Sequence, residues 1–474
     1  MNRVVIIGGG PGGYEAALVA RQLGGEVTLI DTDGMGGSAV LTDCVPSKTL
    51  IATAEVMMTV KGSDELGVIV PGGPGGEVEE AIKIDLARVN RRVLALAEAQ
   101  SNDIHNKLVA EGVTIVRGRG RLNGISEVIA DTPEGEKKFP ADAILIATGA
   151  YPRELPAAKP DGERILTWTQ VYNLDEMPEH LIVVGSGVTG AEFANAYDAI
   201  GVPVTLVSSR KTVLPGQDAD AARVLQDVFE RRGMNVMSEA RAEAVTRDGD
   251  TVTVHLADGR TVTGSHCLMA VGSIPQTHEM GLPGAGVKTD EQGYIIVDRV
   301  SRTTARGVYA AGDCTGVLAL ASVAAMQGRI AMWHALGDAV APLNTHVVSS
   351  NVFTSPEIAT VGVTQPEVDS GDVRALTINL PLSGNARAKM QGIHDGFVKL
   401  FCLPVTGIIV GGVVVSPRAS ELIHVISLAV AEKITVDNFA QDFTVYPSLS
   451  GSIAEAARRL HGHSTDQLEE QIHL

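Results

Sequence analysis

Arg3-Val-Val-Ile-Ile-Gly-Gly-Gly-Pro-Gly-Gly13 is a short apolar strand that runs straight into glycine, and the helix-favouring stretch 14–23 follows it. The same design returns at Leu181-Ile-Val-Val-Gly-Ser-Gly-Val-Thr-Gly190, followed by 191–200. Each is trailed by a second β-rich run, 26–30 and 204–207, so each predicts a βαβ unit with a parallel sheet. Gly8, Gly10 and Gly13, and again Gly185, Gly187 and Gly190, fit the spacing GxGxxG. Glycine there permits the tight turn and lets a pyrophosphate approach the N–H groups of the helix start. Asp31 closes the strand after the first unit, where a carboxylate can accept hydrogen bonds from a ribose diol. The second unit ends instead on Ser208, Ser209, Arg210 and Lys211. Hydroxyls with a guanidinium suit a 2′-phosphate, which points to NADPH, alone or with NADH; solvated loop charges are the alternative.

Two nucleotide sites on one chain suggest electron transfer between two dinucleotides. Val308-Tyr-Ala-Ala-Gly-Asp313 adds a strand that stops on Gly-Asp, before a helix expected from about 320. That geometry would present Asp313 to a ribityl hydroxyl of a flavin, although Gly-Asp also makes ordinary turns.

The rest of the chain sets bounds. Its 474 residues suggest roughly three domains at about 150 residues each. The 52 glycines exceed the average of about 7 %, as tight turns against ligand require. The net charge of −18 carries no long run of one sign, which argues against nucleic acid as a partner. Cys44, Cys267, Cys314 and Cys402 are too far apart for a zinc site or a disulphide scaffold, so a reducing cytoplasm and no metal are expected. No signal peptide or apolar run of membrane-spanning length is read, the nearest being the glycine-broken 405–415. A helix over 85–100, strands over 113–122 and 143–148, and a surface loop over 70–76 fill the first part. Beyond about 345 come strands at 396–401 and 407–415 and a final helix at 453–460, with no further glycine fingerprint.

These residues together resemble the pyridine nucleotide-disulphide oxidoreductases, the family of dihydrolipoamide dehydrogenase, glutathione reductase and mercuric reductase. The resemblance is collinear through nearly the whole chain. It takes in the first fingerprint, Pro46-Ser-Lys48, Ala147-Thr-Gly149, the run from Gly185 to Glu192 and Tyr309-Ala-Ala-Gly-Asp-Cys314. Phe353-Thr-Ser-Pro-Glu357, Val361-Gly362, Ala419-Ser-Glu-Leu-Ile423 and Tyr446-Pro-Ser-Leu-Ser450 extend it to the C-terminus. The resemblance implies an α/β chain with two Rossmann-like dinucleotide-binding domains and a C-terminal α+β dimerisation domain. The FAD domain would be 1–150 plus 272–345, the NAD(P) domain 151–271 and the interface domain 346–474. It further implies that Lys48 and Glu192 pair beside the flavin N5, where a fixed ammonium stabilises charge on the reduced ring; a plain structural ion pair is the alternative. Gly37, Ser38, Thr148, Gly149, Gly272, Asp313 and Ala321 are implied as further cofactor contacts.

The departures from the family are informative. Its two redox cysteines stand five positions apart before Pro-Ser-Lys, but here the first position is Ala39 and only Cys44 remains. One thiol cannot close the disulphide. Cys44 matches the flavin-proximal cysteine, and both a thiolate against the ring and a packed apolar thiol are open. The family's His-Glu dyad, supplied across the dimer interface, is replaced by Tyr446 and Gly451. A tyrosine hydroxyl near 10 would need about 5 kcal/mol of differential stabilisation to imitate a histidine near 6.5. Gly272-Ser-Ile-Pro-Gln-Thr277 also differs, many relatives having arginine after the glycine.

The acceptor thiol and its base are lost together while the flavin and nicotinamide determinants stay. The expectation is therefore a cytoplasmic homodimeric flavoenzyme passing hydride from NAD(P)H to a quinone, with Tyr446 of the partner subunit in the acceptor cleft. The stretches 321–332 and 446–460 resemble actinobacterial NAD(P)H:quinone reductases. Pyridine nucleotide transhydrogenation and a non-catalytic flavoprotein subunit of a larger complex are the rival readings.

Overall fold

The computed structural model describes residues 2–68 and 82–472, so the loop expected at 70–76 lies outside the described residues. Five parallel strands form the first sheet, in the order Val308–Ala310, Ala143–Ile146, Arg3–Ile7, Glu26–Asp31 and Thr114–Arg117. A second parallel sheet runs Asn235–Met237, Val204–Val207, Leu181–Val184, His266–Met269 and Ile165–Thr167. In both, the fingerprint strand is the middle one. It is buried on both faces, which is why Val-Val-Ile-Ile and Leu-Ile-Val-Val read as continuous rather than alternating apolar runs.

The chain passes from one sheet to the other and back through a single antiparallel ribbon, Ala150–Pro152 paired with Ser273–Pro275. The C-terminal part is a different architecture, a five-stranded antiparallel sheet with Ile409–Ser416 at its centre. The helices Ala419–Ala431 and Gly451–Ile472 cover it through Ile423, Ile426, Ile453, Ala457 and Leu460.

The structure differs from the sequence reading in several places, each with a physical cause. The first helix spans Pro11–Gln22 rather than starting at 14, because Pro11 at its first position presets the helical φ and glycine is required inside it. A Cβ on Gly12 would meet Ala311, and one on Gly328 of the Ala321–Ala335 helix would stand 2.0 Å from the Gly12 carbonyl oxygen, so these two helices cross backbone to backbone. The strand expected over 113–122 is two, Thr114–Arg117 and Arg119–Leu122, in different sheets. The break falls on Gly118, where a Cβ would lie 2.7 Å from the Asp131 carbonyl oxygen. The helix read over 85–100 runs Leu86–Ala110, with Asp85 accepting from the Arg88 N–H as its cap. Among the described residues no helix is long and apolar enough to cross a membrane.

Candidate active site

At the first fingerprint the glycines are forced by backbone contact. Gly8 sits at φ +106° and its Cβ would be 2.2 Å from the Ala147 carbonyl oxygen; a Cβ on Gly13 would be 1.9 Å from the oxygen of Gly8. Gly10 is different. It is the N-cap of the Pro11–Gln22 helix, makes no side-chain cap, and has no atom within 4 Å of where a Cβ would be. The helix start is thus left uncapped and open, as binding of a pyrophosphate requires. Gly37, at φ +55°, packs against Gly10, and its Cβ would be 2.8 Å from the Gly10 Cα. Ser38 is exposed beside it, and its carbonyl accepts from the N–H groups of Thr42 and Asp43.

Asp31 accepts three backbone N–H bonds, from Gly9 at 2.6 Å, Asp33 at 2.8 Å and Gly34 at 2.7 Å. Burial pushes its pKa up and those N–H groups oppose it. A carboxylate has about four acceptor sites, so one remains for a ribose hydroxyl. Thr148 donates its hydroxyl to the Gln276 carbonyl at 2.7 Å, with Gly149 beside it at φ +70°. Asp313 stands in the turn Asp313–Thr315 beyond the strand Val308–Ala310, and burial, with the charge of Asp43, pushes it up to about 6. A hydroxyl donor reaching this carboxylate would relieve that cost. Ala321 opens the following helix with its side chain exposed.

The second fingerprint repeats the first almost atom for atom. Cβ atoms on Gly185 and Gly190 would lie 2.1 Å from the Ala270 oxygen and 1.8 Å from the Gly185 oxygen, while Gly187 is uncapped and open. Gly272, at φ +93°, accepts from the Arg153 N–H. Ser208 departs from the expected role. It is buried, its Oγ lies 2.7 Å from Ser186 Oγ, and it accepts from the Arg210 N–H, so it shapes the turn instead of facing a ligand. Ser209, Arg210 and Lys211 remain exposed.

The two halves meet at Lys48 and Glu192. Lys48 Nζ donates to Glu192 Oε2 at 2.8 Å and lies 4.9 Å from the centre of the Phe353 ring. Glu192 Oε1 accepts from the Phe353 N–H at 2.9 Å, so its buried carboxylate ties together the first domain, the second and the antiparallel domain. Burial would lower the Lys48 pKa, but Glu192, Cys44 and Asp43 raise it above the ordinary lysine value. The ammonium is therefore charged at all working pH. Cys44 begins the Cys44–Lys61 helix, and all four cysteines are free. Burial, then the charge of Asp43, pushes the Cys44 thiol up to about 11 against the pull of Lys48, so it is a thiol at neutral pH. Asp43 was not singled out from sequence, and Phe353 only as part of the motif Phe353–Glu357 with no role given to its ring, since its place over Lys48 depends on elements far apart in the chain. Tyr446 is 85 % exposed.

A family model described as pyridine nucleotide-disulphide oxidoreductase matches residues 2–328, and the dimerisation domain of that family matches 348–457. The chain belongs to the pyridine nucleotide-disulphide oxidoreductase family. Among its relatives, a Mycobacterium tuberculosis protein named NAD(P)H dehydrogenase (quinone) is 54 % identical over 98 % of this chain and 94 % of its own length. A dihydrolipoyl dehydrogenase of Zymomonas mobilis is 31 % identical over 97 % of this chain and 98 % of its own. The crystal structure of LpdA from Mycobacterium tuberculosis superposes with a TM-score of 0.92 at 54 % identity, covering 97 % of this chain and all of the other. The Escherichia coli flavoprotein disulfide reductase RclA shares the fold with a TM-score of 0.84 at 23 % identity, covering 96 % of this chain and 99 % of its own.

The chain is accordingly an FAD-dependent oxidoreductase that uses NAD(P)H. The open helix start at Gly10 and the half-buried, ligand-hungry Asp313 fit FAD, and the matching opening at Gly187 fits the nicotinamide dinucleotide.

Proposed function

We propose that this chain is a homodimeric NAD(P)H:quinone oxidoreductase of the cytoplasm that works without a redox disulphide. The observation that carries the reading is the intact Lys48–Glu192 pair in a chain whose Cys44 is free, with Ala39 where a partner cysteine would stand. Bound FAD supplies hydride transfer from NAD(P)H to the acceptor. The chain's own part is positioning and electrostatics. The uncapped helix starts at Gly10 and Gly187 hold the two pyrophosphates, helped by Gly8, Gly13 and Gly37 on one side and Gly185, Gly190 and Gly272 on the other. Asp31 and Asp313 take ribose and ribityl hydroxyls, with Ser38, Thr148, Gly149 and Ala321 lining the rest. Lys48, fixed by Glu192 and walled by Phe353, keeps a positive charge where electron density accumulates. Ser209 and Arg210 select a 2′-phosphate and hence NADPH. The borders of the three domains fall near 150, 272 and 345. The name of the 54 % identical relative supports a quinone as acceptor, and the family's dimerisation domain supports the homodimer.

Tyr446 of the partner subunit would complete the acceptor cleft, stacking on or hydrogen-bonding the quinone. The test is anaerobic reduction with NADPH followed by rapid mixing with menadione, oxidised thio-NAD or lipoamide. Re-oxidation by menadione faster than about 1 s⁻¹, the low end of ordinary turnover, with none by lipoamide, is expected. Faster re-oxidation by thio-NAD than by menadione would replace the quinone reading with transhydrogenation.

A further inference from the structure

The strand Phe397–Cys402 of the antiparallel sheet is buried on both faces, and the two faces serve different neighbours. Val398, Leu400 and Cys402 belong to the core under the helices Ala419–Ala431 and Gly451–Ile472. Phe397 and Phe401 join another apolar cluster, shared with Leu50 of the first domain and with Phe193 and Phe229 of the second. Lys399 stands between those two phenylalanines on the same face of the strand. It is 2 % exposed, donates from Nζ to Asp218 Oδ2 at 2.7 Å and Asp220 Oδ2 at 2.8 Å, and lies 5.7 Å from the centre of the Phe397 ring. Exchanging a buried ionic group for a well-packed apolar one is often neutral or stabilising, so stability alone does not account for a lysine at this position.

What the group supplies is direction. Asp218 is the N-cap of the helix Ala219–Arg231 in the second domain; its Oδ1 accepts from the Asp220 and Ala221 N–H groups, which leaves Oδ2 to Lys399. At the other end of that helix Arg231 pairs with Asp395, two positions before the strand. The adjacent helix Val188–Ala199 is tied to the antiparallel domain as well, Glu192 accepting from the Phe353 N–H and Asn195 Oδ1 from the Ser355 N–H at 3.3 Å. The chain connections from the second domain to the first, by contrast, run through the one short ribbon of Ala150–Pro152 and Ser273–Pro275.

We propose that Lys399 is a positioning residue for hydride transfer: by seating the helix Ala219–Arg231 in one register on the antiparallel domain, it fixes the pose in which the second domain brings its nicotinamide to the flavin. The shared apolar cluster holds the three domains together without direction. An ammonium between two carboxylates, one of them already committed to a helix cap, admits one arrangement. Hydride transfer is sensitive to that arrangement, because the reacting atoms must stand about 3–3.5 Å apart and a misplacement of about 1 Å costs on the order of 100-fold. Lys399 acts through the helix and not on the reacting atoms.

The inference stands on the flavin and nicotinamide sites and on no choice of acceptor, so its test needs none. Lys399→Met alone would leave two carboxylates without their cation. The decisive variant is therefore Lys399→Met/Asp218→Ser/Asp220→Asn, which removes all three charges while the serine hydroxyl still caps the helix. Mixed anaerobically with saturating NADPH, this holoenzyme should bleach its flavin at least tenfold more slowly than the natural enzyme at an unchanged half-saturating NADPH concentration, the split expected when only the transition state is lost. A static readout accompanies the rate. The analogue 1,4,5,6-tetrahydro-NADPH has no hydride to give, and its long-wavelength charge-transfer absorbance with oxidised flavin reports stacking of the two rings. That band should weaken in the triple variant while calorimetry shows the analogue bound as tightly as before. Asp220→Asn, at a side chain 38 % exposed, keeps the Lys399–Asp218 pair and should slow bleaching by a smaller factor. A natural bleaching rate or a natural charge-transfer band in the triple variant overturns the role and leaves Lys399 to packing. Should the triple variant fail to fold, Asp220→Asn decides: slower bleaching at a natural melting temperature supports positioning, and the natural rate overturns it.

Discussion

Asp313, which we propose binds a ribityl hydroxyl, carries a cost in stability. Its folded pKa of about 6 lies above the unfolded value near 3.9. Between those values the folded chain holds the extra proton, so ionising Asp313 weakens the fold as pH rises from about 4 to 6, and the cost is complete above that. Asp313→Asn removes the charge. The melting temperature of apoprotein Asp313→Asn, measured against the natural apoprotein, should therefore climb across that interval, while flavin fluorescence titration shows weaker FAD binding. Parallel melting curves at all pH would refute it. Cys44 makes the opposite point, a reactive residue type held inert. With its thiol pushed up to about 11, the thiolate fraction at pH 8 is about 10⁻³, some two hundred times below that of a free cysteine titrating near 8.5. Iodoacetamide at pH 8 should modify Cys44 at least a hundredfold more slowly than free cysteine, read by peptide mass. Modification at the free rate would mean a thiolate there.

At the scale of the element, the two strand–turn–helix units obey one steric rule, and it separates glycines that the fold needs from glycines that it does not. Gly13 and Gly190 are needed by the chain itself, since a Cβ would collide with the oxygen of Gly8 or Gly185. Gly10 and Gly187 are not: each has an ordinary negative φ, −67° and −71°, and open space ahead. Gly10→Ala should leave the apoprotein melting temperature within about 2 °C, a surface-sized change, and yet purify depleted of FAD. Gly187→Ala should keep its FAD and raise the KM for NADPH at least tenfold. Loss of folding in either, seen by circular dichroism, would refute the distinction. The same rule explains what the sequence revealed. Close backbone approach demands glycine, so both units and Asp31 could be read directly. Interior glycines of helices could not be told from turn glycines, which is why the first helix was read as starting at 14 rather than Pro11. Lys48 and Glu192 lie 144 positions apart, and nothing local in either segment announces the other; only resemblance joined them. Ser208 had no such guide, because the Ser186 hydroxyl that pairs with its own stands 22 positions away.

At the scale of the molecule, the antiparallel domain holds apolar surface that a single chain leaves bare. Phe443 is 99 % exposed and Val445 78 %, on the segment between the helices Val436–Ala440 and Gly451–Ile472 that also bears Tyr446. Leu428, about half exposed, lies on the Ala419–Ala431 helix of the same domain. Exposed apolar side chains clustered on a domain of dimerisation type mark the face a second copy covers. If so, assembly and acceptor chemistry share one segment, because Tyr446, which we propose completes the acceptor cleft, is three positions from Phe443. Phe443→Asp places a charge where the partner must desolvate it, at a cost of several kcal/mol at each of the two symmetric copies. Sedimentation velocity at micromolar concentration should then show monomers. NADPH should still bleach the flavin of those monomers, since Lys48, Glu192 and both fingerprints lie within one chain, while menadione turnover falls at least tenfold. A dimer that survives Phe443→Asp would move the interface elsewhere. Monomers with full menadione turnover would show that each chain reduces its acceptor alone and that Tyr446 serves only assembly.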